Sequence, residues 1–146
     1  MIRHVIFFLV VVTLWDQVFL KEREDPQLKQ AKRMIKNVCK AKCSVKPEEL
    51  ANAAVCKFSK DQELAKYLCC VGGLLQCYKG DEFCPDQGLE NIEKLPEAYR
   101  PSLKKAVQEC RGGVKVGKPC NETSIPFFEC VCNSMTAEKF CKIFPS

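Results

Sequence analysis

Histidine is almost missing from this sequence. The one residue of that type, His4, lies in the N-terminal segment, just ahead of an apolar run. A chain that loses this segment has no imidazole, which excludes Ser-His-Asp and Cys-His nucleophilic machinery and every histidine-containing zinc site. It also lacks the side chain that most readily changes charge near neutral pH. CxxC pairs are absent, so the cysteines do not carry zinc-ribbon spacing. No metal, cofactor or catalytic residue is expected, and the chain does not read as an enzyme. There is no alternating strand pattern and no Asn-Gly hairpin turn. Internal repeats, low-complexity tracts and linkers are also lacking. The longest apolar run, from Val5 to Trp15, is 11 residues. That is too short to span a bilayer core of about 30 Å, so no stable membrane span is expected. No basic stripe with aromatic partners is evident, so no nucleic-acid partner is expected. The 23 Lys+Arg and 18 Asp+Glu leave a net charge of +5. This reads as interspersed, solvated charge.

What is present begins with Arg3 and His4 ahead of a short apolar core. That order marks a secretory signal peptide, placed at residues 1–20 with cleavage between Asp16 and Leu20. Residues 21–146 then form a single domain, secreted and extracellular. All 12 cysteines follow the signal. Their even number and density point to an oxidising compartment and a disulfide scaffold. They permit about ten thousand complete pairings, so spacing alone does not fix connectivity.

The remainder reads as all-α, with about six to seven short helices and no sheet. Asp25-Pro26 supplies an N-cap and a first-turn proline. Leu28, Ala31, Ile35, Val38 and Cys39 then share one face of a helix ending near Lys42. Pro47-Glu48-Glu49-Leu50 opens a second helix. Ser59 with Gln62 predicts a capping box for the longest helix, Lys60 to Tyr78. Gly72-Gly73 within it signals either a break or a very close neighbour. Residues 80–88 read as a loop, followed by a short helix through Leu89, Ile92 and Leu95. Pro101 opens another helix, with Leu103, Ala106, Val107 and Cys110 inward and Gly112-Gly113 at its C-cap. Asn121 or Thr123 caps a last long helix to about Cys132, and residues 136–143 add a final turn.

Cys69-Cys70 and Cys77-Tyr78 together resemble the active helix of secreted phospholipases A2. The interval between them holds neither histidine nor aspartate, so the general base of that chemistry is missing. Asn121-Glu122-Thr123 is an N-glycosylation sequon, and Asn121 is a candidate modification site.

The stretches MIKNVC (34–39), VKPEELA (45–51), FSKDQELAKYLCC (58–70) and LPEAYRPSLKKAVQEC (95–110) resemble the insect pheromone- and general-odorant-binding protein family. Cys120 and Cys130 continue the pattern, and the resemblance covers about residues 28–144. The family's second cysteine falls here on Lys66, and the Cys120–Cys130 interval is one residue longer than usual, so the chain resembles a divergent, cysteine-rich member. The resemblance implies helices closing an apolar cavity, with carriage of small hydrophobic ligands such as odorants, pheromones or fatty acids. No particular receptor is implied. It also implies the bridges Cys39–Cys70 and Cys110–Cys130, with Cys69–Cys120 as a displaced form of the third. Local pairs Cys43–Cys56, Cys77–Cys84 and Cys132–Cys141 complete the expected set.

A disulfide-stapled shell tolerates an unfilled interior that would otherwise be costly. The expected cavity wall comprises Met34, Val38, Val71, Leu74, Leu75, Leu103, Val107, Phe127, Phe128, Phe140 and Phe144. Tyr78 or Tyr99 is expected to offer an orienting hydroxyl. The competing reading is a secreted cysteine-rich effector of the salivary, venom or antimicrobial kind. It would act on a protein or membrane partner through an exposed apolar patch.

Overall fold

The computed structural model describes residues 25–146. The expected signal peptide, its cleavage site and His4 lie outside the described residues.

Among the described residues seven α-helices follow one another: α1 Pro26–Lys40, α2 Pro47–Ala54, α3 Gln62–Leu74, α4 Pro85–Ile92, α5 Arg100–Cys110, α6 Cys120–Met135 and α7 Ala137–Ile143. Among the described residues, none is long and apolar enough to cross a membrane. The all-α expectation holds except for one hairpin of two-residue strands, β1 Tyr78–Lys79 and β2 Glu82–Phe83. The first residue of its two-residue turn, Gly80, has φ +62°, a conformation glycine adopts without steric cost. So short a ladder shows no alternation, which is why this segment reads as a loop.

The helix starts follow their local chemistry. Asp25 Oδ1 accepts the N–H groups of Gln27 and Leu28 and caps α1. The expected Ser59–Gln62 capping box is not made. Asp61 caps α3 by accepting the Leu64 N–H, while Ser59 Oγ accepts the Asp61 N–H and donates to Glu49. α3 is also shorter than its apolar stripe suggests. It closes in a Schellman motif, with Gln76 N–H bonded to Gly73 O and Cys77 N–H to Gly72 O. The motif places Gln76 in the left-handed region at φ +61°. α2 ends the same way, with Cys56 at φ +65°. Its Cys56 N–H bonds to Ala53 O and the Lys57 N–H to Asn52 O. Neither Asn121 nor Thr123 caps α6, which already begins at Cys120.

α3 is the central element. Leu64, Ala65, Tyr67, Leu68 and Val71 are fully buried, and it packs between α1 and α6. Burial of each large apolar side chain there contributes about 1.5–3 kcal/mol. α6 also packs along α5, and Ser124 Oγ on α6 donates to Ala65 O of α3.

Four disulfides staple this arrangement. Cys39–Cys70 joins α1 to α3, Cys69–Cys120 joins α3 to α6, and Cys110–Cys130 joins α5 to α6. These are the three bridges that the resemblance implied. The fourth is Cys56–Cys132, which replaces the expected Cys43–Cys56 and Cys132–Cys141. The left-handed turn at Cys56 presents it to α6, with the Cys56 and Cys132 Cα atoms 5.6 Å apart. Cys43 and Cys141 are unbonded, each thiol donating to a carbonyl of its own segment, Cys39 O and Glu138 O. Cys77–Cys84 is also not formed: the Cys77 thiol turns toward α4 and packs on Gly88.

Candidate functional site

Two hollows of different character lie along α6. The larger, about 540 Å³, has a mixed lining, in which Glu109, Lys115, Lys118 and Glu122 stand with Val114, Pro126 and Phe127. The smaller, about 160 Å³, is bounded almost wholly by apolar surface between the helices. Apolar surroundings with few polar groups are the mark of a small-molecule site, so the smaller cavity is the candidate.

Its wall draws on nearly every helix. α1 contributes Leu28, Ala31, Lys32 and Ile35. Val71 and Leu75 close the side toward α3, and Ile92 and Leu95 the side toward α4. Leu103 and Val107 of α5 face Phe127, Phe128 and Val131 of α6. Phe140, Ile143, Phe144 and Pro145 of the C-terminal segment complete the wall. Phe140 and Phe144 stack with ring centroids 5.1 Å apart. Tyr67 O–H, deep in the core, donates to the carbonyl of Pro145 and ties the chain end to α3. Burial raises the Tyr67 pKa, so this donor stays protonated.

Of the expected wall residues, Val71, Leu75, Leu103, Val107, Phe127, Phe128, Phe140 and Phe144 are brought together. Met34, Val38 and Leu74 are not. They face solvent at 61%, 38% and 46% exposure. The reason is helix phase. Leu28, Ile35 and Cys39 define the inward stripe of α1, and Met34 and Val38 sit on its outer flank. Leu74 is the last residue of α3, where the helix runs out of neighbours.

Neither tyrosine offers a hydroxyl to the cavity. Tyr99 is half-buried outside it. Tyr78 is buried beside the cavity wall, its hydroxyl 2.9 Å from Thr123 Oγ1 and its ring against Phe83 and Phe127. That ring lies across α3 at Gly72, the close neighbour signalled by the Gly-Gly pair.

Sequence reasoning missed, among other wall residues, Leu28, Ala31 and Ile35 of α1, for which it substituted Met34 and Val38, and also Ile92, Val131, Ile143, Leu95, Asn91 and Cys77. Except for Leu95, which lies beyond the end of α4, the apolar ones sit on helix faces that could have been counted. Asn91 and Cys77 carried no apolar signal. Asn91 Nδ2 donates to Leu75 O and Gln76 Oε1, both at 3.0 Å, and so ties α4 to the end of α3. The Cys77 thiol lines the cavity, and burial pushes its pKa up to about 11, which keeps it neutral. Among the described residues, no buried side-chain nitrogen or oxygen lacks a hydrogen-bond partner. The wall is otherwise apolar, with Lys32 and Asn91 the nitrogen-bearing side chains on it.

Asn121, the sequon asparagine, is exposed in the first turn of α6. Its Thr123 is buried, with the hydroxyl engaged by Tyr78.

The profile of the PBP/GOBP family matches this chain over residues 21–134. No individual curated protein matches it.

Proposed function

The chain belongs to the PBP/GOBP family, the insect pheromone- and general-odorant-binding proteins, and on that premise we propose that it carries one small apolar molecule inside the shell formed by α1 and α3–α7. The observation that carries this reading is the cavity of about 160 Å³ with an aliphatic and aromatic wall. A dry apolar cavity of roughly 150 Å³ binds a single aromatic ring. The volume thus favours compact volatiles over long-chain fatty acids. Binding is driven by removal of apolar surface from water, at about 25 cal/mol per Å². Specificity comes chiefly from fit to an apolar wall on which Lys32 and Asn91 are the nitrogen-bearing side chains. We further propose that residues 1–20 direct secretion and are removed. The role is carriage rather than catalysis.

Displacement of a fluorescent apolar probe tests the reading. Small aromatic and terpenoid volatiles should displace the probe at micromolar concentrations, ahead of long-chain acids. Leu103→Trp, which fills the cavity from a half-buried wall position, should lower affinity at least about tenfold with the helical circular dichroism unchanged. Failure of the whole apolar panel, or full affinity in Leu103→Trp, would sink the proposal.

A further inference from the structure

We propose that Asn121 carries an N-linked glycan, attached while residues 120–123 are still unfolded. The proposal rests on the secretion reading, because this transfer takes place in the lumen of the secretory pathway. Asn121-Glu122-Thr123 is the one Asn-x-Ser/Thr triplet in the chain. Folding locks the residues on either side and leaves the asparagine outside. Cys120, immediately before it, is buried and bonded to Cys69 of α3, and its N–H donates to Asp81 Oδ1 at 3.1 Å. Thr123 is buried, with its hydroxyl 2.9 Å from that of Tyr78. Between these two anchors the Asn121 side chain is exposed and makes no hydrogen bond among the described residues. A bulky, solvated sugar on its nitrogen projects into water, and its attachment breaks no contact of the fold.

The same geometry sets the order of events. A transferase has to reach the asparagine nitrogen and the threonine hydroxyl of the acceptor together. In the folded chain that hydroxyl is held against Tyr78 in the core, and α6 is already wound from Cys120. Exposure of Asn121 alone is thus not enough, and the transfer precedes docking of α6 on α3. In the step, Asn121 Nδ2 forms a bond to the anomeric carbon of a lipid-diphosphate-linked oligosaccharide. The bond from that carbon to the diphosphate oxygen breaks, the lipid diphosphate leaves, and the amide nitrogen gives up one proton. After folding, the glycan stands in the first turn of α6, next to Glu122 and Thr123 on the lining of the larger hollow. The part of α6 that lines the apolar cavity begins at Phe127, about 9 Å further along the helix. The glycan therefore leaves the carrier site uncovered.

The test expresses the full chain in insect cells and weighs the secreted protein before and after digestion with a peptide-N-glycosidase. Wild-type protein should show an oligosaccharide-sized excess mass that the enzyme removes. Asn121→Gln and Thr123→Ala should both show none. Asn121→Gln alters an exposed, unbonded side chain, so it should keep the helical spectrum and the affinity for the apolar probe. The order of events is tested on aglycosylated protein from bacteria, given the lipid-linked donor and a purified transferase. The reduced, unfolded chain should accept the sugar at least about tenfold faster than the oxidised one. Wild-type protein that reaches the medium without a glycan would overturn the proposal and leave the secretion reading standing. Equal transfer to reduced and oxidised chains would overturn the order of attachment. A chain that stays in the cytosol with residues 1–20 intact would overturn the secretion reading and this proposal with it.

Discussion

Adjacent glycines in α3 should respond to the same substitution with opposite sign. A Cβ built at Gly72 lies 2.7 Å from Cδ2 and 3.4 Å from Cε2 of the Tyr78 ring. That ring cannot yield cheaply. It is 3% exposed, wedged against Phe83 and Phe127, and anchored by its hydroxyl to Thr123. Overpacking of this kind costs about 1–3 kcal/mol. Displacing the ring far enough to break the Tyr78–Thr123 bond costs about 1 kcal/mol more. Alanine regains about 1 kcal/mol of helix propensity over glycine. Gly72→Ala should therefore destabilise by about 1–3 kcal/mol, a fall in Tm of about 4 °C per kcal/mol at this chain length. At Gly73 a Cβ meets nothing within 4 Å. Gly73→Ala should accordingly raise stability by up to about 1 kcal/mol. Urea and thermal unfolding of the oxidised proteins, followed by far-UV circular dichroism, measure both. Equal effects at the two sites, or a Gly72→Ala protein as stable as wild type, would refute the packing argument.

The bridges and the pH response give further tests. Cys56–Cys132 closes the longest interval, 76 residues, against 20 for Cys110–Cys130. On chain-entropy grounds, Cys56→Ser with Cys132→Ser should cost about 4.5 kcal/mol, and the Cys110–Cys130 pair about 3.3 kcal/mol. Peptide mapping that bonds Cys56 to Cys43 would contradict the framework. Residues 25–146 hold no histidine, so probe affinity should stay flat from about pH 8 to pH 5.5. A sharp loss near pH 6.5 would need a titrating group that the cavity wall does not contain. Glu63 is held below the usual carboxylate value of 4.5 by its bond from Lys66 and then by the Ser44 N–H. Glu93 is lowered in the same way by Lys104. A depressed folded pKa stabilises above the unfolded value, and that contribution disappears as pH falls through the folded one. Unfolding should therefore begin to ease only below about pH 4.5.

The helices were legible wherever punctuation and periodicity agreed. Asp25-Pro26, Pro47 and Pro101 mark starts, and the stripe Leu64, Tyr67, Leu68, Val71 marks the buried face of α3. Three of the four bridges followed from family resemblance. Cys56–Cys132 did not, because its partner depends on a left-handed residue at the end of α2, and phase there cannot be read from residue types. The site was half legible for a related reason. An apolar residue marks burial only if its helix has a neighbour on that side. Met34 and Val38 satisfy an apolar count and miss the inward phase of α1, while Leu74 falls where α3 ends.

The most direct test of the carrier reading is native mass spectrometry of the protein purified from a secreting host, with and without added small aromatic and terpenoid volatiles. The account predicts a one-to-one complex with a compact apolar molecule, retained under gentle desolvation and depleted in Leu103→Trp. A protein that remains ligand-free throughout, or a bound molecule retained unchanged when the cavity is filled, would contradict it.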